Sequence, residues 1–283
     1  EQAGIVSTAD LPQLVPGLTF NPAGEAKLNS FNIRGVGTYA LTATLESSVG
    51  VAVDGVPLAR VGGSITDMVD VERVEVLKGP QGMLFGKNAT AGLISIVNRK
   101  PEIGVDEGAI NIEYGSYNEL NIDGVANVAL GEKAALRVTG WRYGHDGFIF
   151  GPDGQMYGQK NSYGVRAGLA LEPTPDLSIT LIGQFDGRDE RSTANTHRLF
   201  TGTTPFGLIV EDWARSRGIV PGPENLQGEF YARPYAQSEN YYLTGLIDWD
   251  IGSGYVVSSA TSYRSVETRG QMDPFTTSSP LLH

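Results

Sequence analysis

The stretch Val71–Pro101 reads VERVEVLKGPQGMLFGKNATAGLISIVNRKP, and the fold turns on how it is parsed. Val74 and Val76 stand opposite Arg73 and Glu75, the alternation of a strand. Gly79-Pro80-Gln81-Gly82 then breaks the run. Pro80 fixes its own φ, and glycine takes backbone conformations that other residues resist. Leu93–Val97 is a second apolar run.

Working toward the N-terminus, Leu11–Gly17 (LPQLVPG) reads as a short helical turn ended by Pro16-Gly17. Phe31–Gly37 and Gly50–Leu58 read as short strands closed by glycine-rich turns, with Asp54-Gly55 a strong turn dipeptide. The first hundred residues are therefore expected to form a compact α+β unit of short elements.

Toward the C-terminus the period changes at Glu107. Ile110, Ile112 and Tyr114 alternate with small or polar residues, and the same alternation recurs in Leu120–Leu130, Tyr163–Leu171, Leu177–Phe185 and Tyr241–Ile251. Ala134–Tyr143 and Tyr255–Arg264 fit it less cleanly. That predicts about seven strands, each near the length that crosses a bilayer at a tilt. Gly131-Glu132-Lys133, Pro173–Asp176 and Gly252-Ser253-Gly254, every second connection, are tight; of the three in between, Gly115–Asn118 is short whereas Gly144–Asn161 and Asp186–Glu239 are long. Tight turns on one side and long loops on the other are the asymmetry of outer-membrane barrels. Tyr114, Tyr117, Trp141, Tyr143, Phe185, Trp249 and Tyr255 lie near strand ends, as interfacial girdles do. A soluble β-sandwich shares the alternation, so this half alone leaves both architectures open.

Composition narrows the function classes. Gly stands at 37 of 283 residues with no collagen period, which fits a turn-rich β protein. There is no Cys, so disulfides, thiolate metal sites and thiol nucleophiles are excluded. His145, His197 and His283 lack metal-ligand spacing, and no nucleophile–base arrangement accompanies them, so no metal or catalytic residue is expected and the chain is not expected to be an enzyme. A net charge of −11 argues against a nucleic-acid partner. No run of 18 apolar residues marks a transmembrane helix. No signal peptide stands at Glu1, so the protein is either cytoplasmic, or mature, or read from inside a longer chain. Gly86-Lys87 lacks the Gly and the Ser or Thr that a phosphate-binding loop needs, since those positions hold Gln81 and Asn88.

Val71–Pro101 resembles the plug signature of TonB-dependent outer-membrane receptors. The residues that carry the resemblance are Glu72, Arg73 and Glu75, then Lys78-Gly79-Pro80, Leu84-Phe85-Gly86, Asn88-Ala89, Gly92 and the closing run Ile94–Asn98. Leu14–Gly17, Ile33-Arg34-Gly35 and Val53-Asp54-Gly55 follow the family's order upstream. The resemblance implies an α+β plug at residues 1–101, lacking its N-terminal part, followed at 102–283 by the opening strands of an antiparallel transmembrane β-barrel. About seven of an expected count of about 22 strands would be present. It implies a bacterial outer-membrane protein, a monomer when complete. It would import a scarce bulky ligand, most commonly a ferric siderophore, with energy from a TonB–ExbB–ExbD complex whose contact segment this piece lacks. No cofactor is implied beyond that iron-siderophore cargo. A ligand-sensing receptor of the same architecture and a soluble β-rich binding module are the alternatives. Arg34, Tyr39 and Arg60 match plug turns that face the ligand and are the contact candidates. Asp54, Glu72, Arg73, Glu75, Lys78, Gly79, Pro80, Gly86, Asn88 and Gly92 are the candidates for shaping the plug and fitting it to the barrel. Glu72, Arg73, Glu75 and Lys78 can pair with each other or with lumen-facing charges such as Arg137 and Arg166.

Overall fold

The computed structural model describes residues 7–21, 29–38, 46–59, 67–151, 153–191, 195–196, 211–212, 214–229 and 233–271. The N-terminal unit opens with a 3-10 turn at Thr8–Gln13, closed at its start by a reciprocal capping box between Ser7 and Asp10. An antiparallel three-stranded sheet follows, with β1 (Leu18–Asn21), β2 (Ser30–Ile33) and β3 (Val36–Gly37) in that order. A second, four-stranded sheet combines β4 (Val49–Val53), β5 (Val56–Pro57), β6 (Val71–Lys78) and β7 (Gly92–Asn98) in the order β5-β4-β7-β6.

Phe31–Gly37 and Gly50–Leu58, read as short strands closed by glycine-rich turns, each form a hairpin. Arg34-Gly35 and Asp54-Gly55 take left-handed φ at both positions, 54° and 78°, 53° and 79°, the pair that a two-residue turn between twisted strands requires. The four-residue helix α1 (Gly82–Phe85) fills the break after Gly79-Pro80 and leaves Met83 and Leu84 exposed. Strand β7 is central, parallel to β4 and antiparallel to β6, so its apolar run is buried almost throughout. Leu11, Leu18, Phe31, Ile33, Val49, Val51, Ile94 and Ile96 join in one core. Gly92 enters β7 where a side chain has no room: a Cβ would meet the Leu77 carbonyl at 2.4 Å and Ile33 Cδ1 at 2.5 Å.

From Glu107 the described residues run up and down through one open antiparallel sheet of seven strands. They are β8 (Glu107–Gly115), β9 (Glu119–Ala129), β10 (Ala134–His145), β13 (Lys160–Thr174), β14 (Leu177–Glu190), β17 (Tyr235–Gly252) and β18 (Tyr255–Gln271). Short pairs β11 (Ile149–Phe150) with β12 (Met156–Tyr157), and β15 (Asn195–Thr196) with β16 (Gly228–Glu229), lie within the two long connections. All seven expected strands are present, with β8 and β18 as the sheet edges. Several exceed the length that crosses a bilayer; β17 has 18 residues and β18 has 17, because their pairing continues beyond the apolar band on the side of the long connections.

The two faces of this sheet invert the rule for soluble proteins. Ile110, Ile112, Val165, Leu243 and Trp249 are exposed, while Arg137, Thr139, Arg166, Asn240 and Thr244 are buried. An outward apolar face and a covered polar face are what a membrane barrel presents, and what a sandwich does not. Trp141 and Tyr143 depart from the expected girdle. Both lie on the covered face, where Val69 of the N-terminal unit packs against them, so their neighbour is protein and not an interface with lipid. Tyr163, Phe185 and Tyr241 form an outward ladder with ring centroids 6.1 and 4.9 Å apart. Among the described residues no helix is long and apolar enough to cross a membrane, which says nothing of crossing by strands.

Candidate functional site

Among the described residues, a dense polar cluster lies where the N-terminal unit meets the covered face of the large sheet. Asp67 and Asp70 are the centre of it, just ahead of β6. Their side chains are nearly sealed, at 3% and 7% exposure. Arg137 on β10 donates to Asp70 through both Nε and a terminal nitrogen, each at 2.7 Å, and Thr139 adds its hydroxyl at 2.9 Å. Two parallel guanidinium bonds on a carboxylate are both strong and directional. Arg137 also donates to Glu107 at 2.7 Å. Alternation on β10 puts Arg137, Thr139, Trp141 and Tyr143 on one face, which is why consecutive bonds reach the same loop.

Asp67 is held by the next strands along. Arg188 on β14 donates to it at 2.9 Å, the Trp141 indole N–H at 3.2 Å, and the Lys160 ammonium lies 3.7 Å away. Between the two carboxylates, Arg166 on β13 donates to the carbonyls of Val69 and Asp70 at 2.9 and 3.1 Å. Burial by itself would raise the Asp70 carboxyl. The bonds from Arg137 and Thr139 and the charges of Arg137 and Arg166 outweigh it, and the group sits below its ordinary value. Asp70 also carries φ of 54°, the left-handed region that a non-glycine residue seldom adopts.

Asp54 joins the same junction through one intermediary. Its carboxylate accepts the Asn98 backbone N–H and side-chain amide N–H, each at 2.9 Å, and the Asn98 side-chain oxygen Oδ1 accepts from Arg166 at 2.8 Å. Arg264 on β18 donates to the Val53 carbonyl at 3.3 Å. The other expected positions shape the N-terminal unit. Of the two pairings open to Glu72, Arg73 and Glu75, the structure has the first: Arg73 bonds Glu72 at 2.6 Å and Glu75 at 3.0 Å on an exposed face. Lys78 donates to the Pro16 carbonyl at 2.9 Å. Gly79, Gly86 and Asn88 take positive φ around α1, Pro80 follows Gly79, and buried Asn88 donates to the Ala59 carbonyl at 3.2 Å.

Arg34 stands exposed in its hairpin turn, its N–H bonded to the Gly17 carbonyl at 2.7 Å. Tyr39 and Arg60 lie outside the described residues. Asp67 and Asp70 escaped the sequence reading because neither belongs to a periodic element. A signal was present in the polar positions of the strands, where Arg137, Arg166 and Arg188 recur on a face that must find carboxylates. Among the described residues no cluster of three or more His, Asp and Glu is placed to hold a metal ion.

Residues 1–93 match the family described as the TonB-dependent Receptor Plug Domain. The chain carries a TonB-dependent receptor plug. Its junction with the seven strands is thus one between a plug and a barrel wall. A pesticin receptor of Yersinia pestis and one of Yersinia enterocolitica are 33% identical over 125 residues, 43% of this chain. The match spans only 18% of those relatives' length. Among solved structures, the ferric yersiniabactin uptake receptor FyuA from Yersinia pestis aligns over 96% of this chain and 40% of its own, at a TM-score of 0.79 and 19% identity. The ferric-catecholate import receptor Fiu from E. coli aligns over 94% and 37%, at 0.71 and 18%. At such identities the likeness speaks for the fold, a plug followed by antiparallel barrel strands.

Proposed function

We propose that the protein imports a ferric siderophore across the bacterial outer membrane, driven by a TonB–ExbB–ExbD complex. The observation that carries this reading is the polar junction itself. A plug fastened to the inner face of an apolar-coated wall blocks a water-lined passage, and such a passage is useful only if the plug is moved on demand. Receptors for iron complexes among the similar structures support iron as the cargo. Arg34, Tyr39 and Arg60 are proposed to meet the ligand: a guanidinium can clamp a carboxylate or hydroxamate oxygen, and a phenol can stack on a catecholate ring. Asp54, Lys78, Gly79, Pro80, Gly86, Asn88 and Gly92 are proposed to keep the plug in shape and in place, and Glu72, Arg73 and Glu75 to give it a charged, self-paired outer face, with residues 1–101 as plug and 102–283 as wall.

The test is growth of a strain lacking the full-length gene on a panel of ferric siderophores, cobalamin and carbon sources. The expected outcome is loss of growth on one or more ferric siderophores under iron limitation, restored by the gene. Unchanged growth on every siderophore, with loss on a carbon source, would move the cargo to another class.

A further inference from the structure

The connections at the long-loop end of the wall, the external end of a barrel of this kind, are bonded to one another. The link Ser116–Asn118 between β8 and β9 holds Tyr117 and Asn118 at left-handed φ, 58° and 53°, a costly conformation for a tyrosine. The next connection keeps it there. The Asp146 N–H donates to the Tyr117 carbonyl at 2.8 Å, the Asn118 amide donates to the Asp146 carboxylate at 2.6 Å, and the Tyr117 and Phe148 rings lie 5.5 Å apart. That second connection is itself folded, as the β11–β12 hairpin around Tyr157, which is 1% exposed. Gly147 and Gly151 leave the room it needs: a Cβ on Gly151 would stand 2.6 Å from the Tyr157 ring, and one on Gly147 2.7 Å from the Tyr157 carbonyl oxygen.

The third connection is laid against this hairpin. The Phe150 N–H donates to the Leu226 carbonyl at 2.8 Å, and the Gly158 N–H to the Arg191 carbonyl at 2.6 Å. Phe150 with Gln227, and Gln159 with Arg191, are thus bridged across the two long connections. Asp153, in the turn of the hairpin, accepts the Tyr157 hydroxyl at 3.0 Å and an Arg233 N–H at 3.1 Å, so one carboxylate ties the buried ring to the third connection. A loop free to swing has few such bonds; here backbone groups of one connection are satisfied by the next.

We propose that the three connections form a single rim that is set before any ligand arrives, positioned by Tyr157 and Asp153, and that it stays closed on itself during uptake. The second half rests on the importer reading, to which it adds a fixed flank that an incoming iron complex must fit. Any closure over the ligand then belongs to another part of the mouth. The strain at Tyr117 supports a shared unit. Asp146 and Phe148 sustain it, so the first connection loses its shape when the second leaves. The bridges at Phe150 and Gly158 couple the second connection to the third in the same way, so the three open together or not at all.

The experiment uses the full-length protein in lipid bilayers. Without ligand, the Asp146, Phe150 and Gly158 amides should already be protected from hydrogen exchange. Tyr157→Phe, which removes the bond to Asp153, should speed all three together by about tenfold, as expected for losing one hydrogen bond to a charged group, and leave Leu181 in mid-β14 unchanged. Unprotected amides in the wild type, or a Tyr157→Phe effect confined to one connection, would overturn the shared rim. The chain has no cysteine. Gln159→Cys and Arg191→Cys, directly opposite each other, can therefore be joined on a cysteine-free background by a short bis-methanethiosulfonate bridge. Cells are then offered ferric yersiniabactin, a ferric catecholate and a ferric hydroxamate, each radiolabelled. Uptake of whichever is carried should proceed at the same maximal rate with and without the bridge. Uptake that the bridge stops and reductant restores would overturn the rim as a fixed flank. Protected amides that respond together, in a protein that carries none of the three, would count against the importer reading and leave the prefolded rim standing.

Discussion

Asp70 occupies a backbone conformation and a burial that each cost free energy, and both are offset by Arg137, Thr139 and Arg166. Removing one partner of a buried pair strands the other charge. Asp70→Ala is expected to weaken the folded, plugged protein by about 3–5 kcal/mol, read by denaturant unfolding of the full-length receptor. Glu72→Ala, in the exposed triad, should leave the transition where it is. The pH dependence follows from the same geometry. The groups facing Asp70 are Arg137 and Thr139 from β10, Arg166 from β13 and Arg99 beyond β7, with Glu107 on the far side of Arg137. The folded value of Asp70 lies below its unfolded one, near 3.9. Its contribution is thus fully present above about pH 4 and is lost as pH falls through the lower, folded value. Protection of the Val69–Val71 amides from hydrogen exchange, relative to the intrinsic rate at each pH, should hold down to about pH 4 and fall below it. Asp70→Asn should remove that acid step.

At the scale of elements, β7 depends on one close approach. Gly92→Ala would drive a methyl group into the Leu77 carbonyl, so β6 and β7 must part; a loss of about 1–3 kcal/mol is expected in a thermal or denaturant melt. The elements are also where legibility in the sequence can be judged. All seven wall strands could be seen because lipid on one side and a polar lumen on the other impose a period of two that survives in the residues themselves. The hairpin turns at Arg34-Gly35 and Asp54-Gly55 are legible to different degrees: Asp-Gly is a known turn pair, whereas Arg-Gly is not. Trp141 and Tyr143 misled because an aromatic near a strand end can face lipid or lumen, and only the parity set by Arg137 and Thr139 decides which. Asp67 and Asp70 were not legible in their own segment, since a loop carries no period. The arginines that hydrogen-bond their carboxylates lie 67 and 121 residues away in the chain.

For the whole molecule, the decisive property is the inverted surface. A wall whose exposed side is apolar and whose covered side holds Arg, Asn and Thr is stable only with lipid outside and water or plug inside. Leu243, exposed midway along β17, tests this. Leu243→Arg should cost about 2–4 kcal/mol in folding of the full-length protein into bilayers, and Thr244→Ser, on the covered face, should cost far less. The open edges β8 and β18 have unpaired backbone groups that lipid cannot satisfy, so the seven-strand segment expressed alone is expected to aggregate and not to insert. Residue, element and molecule meet in the proposed importer: a plug, fastened to a membrane wall, that moves to admit an iron complex. Uptake of radiolabelled ferric siderophores by cells carrying the full-length gene, with and without TonB, tests it most directly. The account predicts accumulation of at least one ferric siderophore that stops when TonB is removed; accumulation of none across a broad panel, or accumulation that persists without TonB, would contradict it.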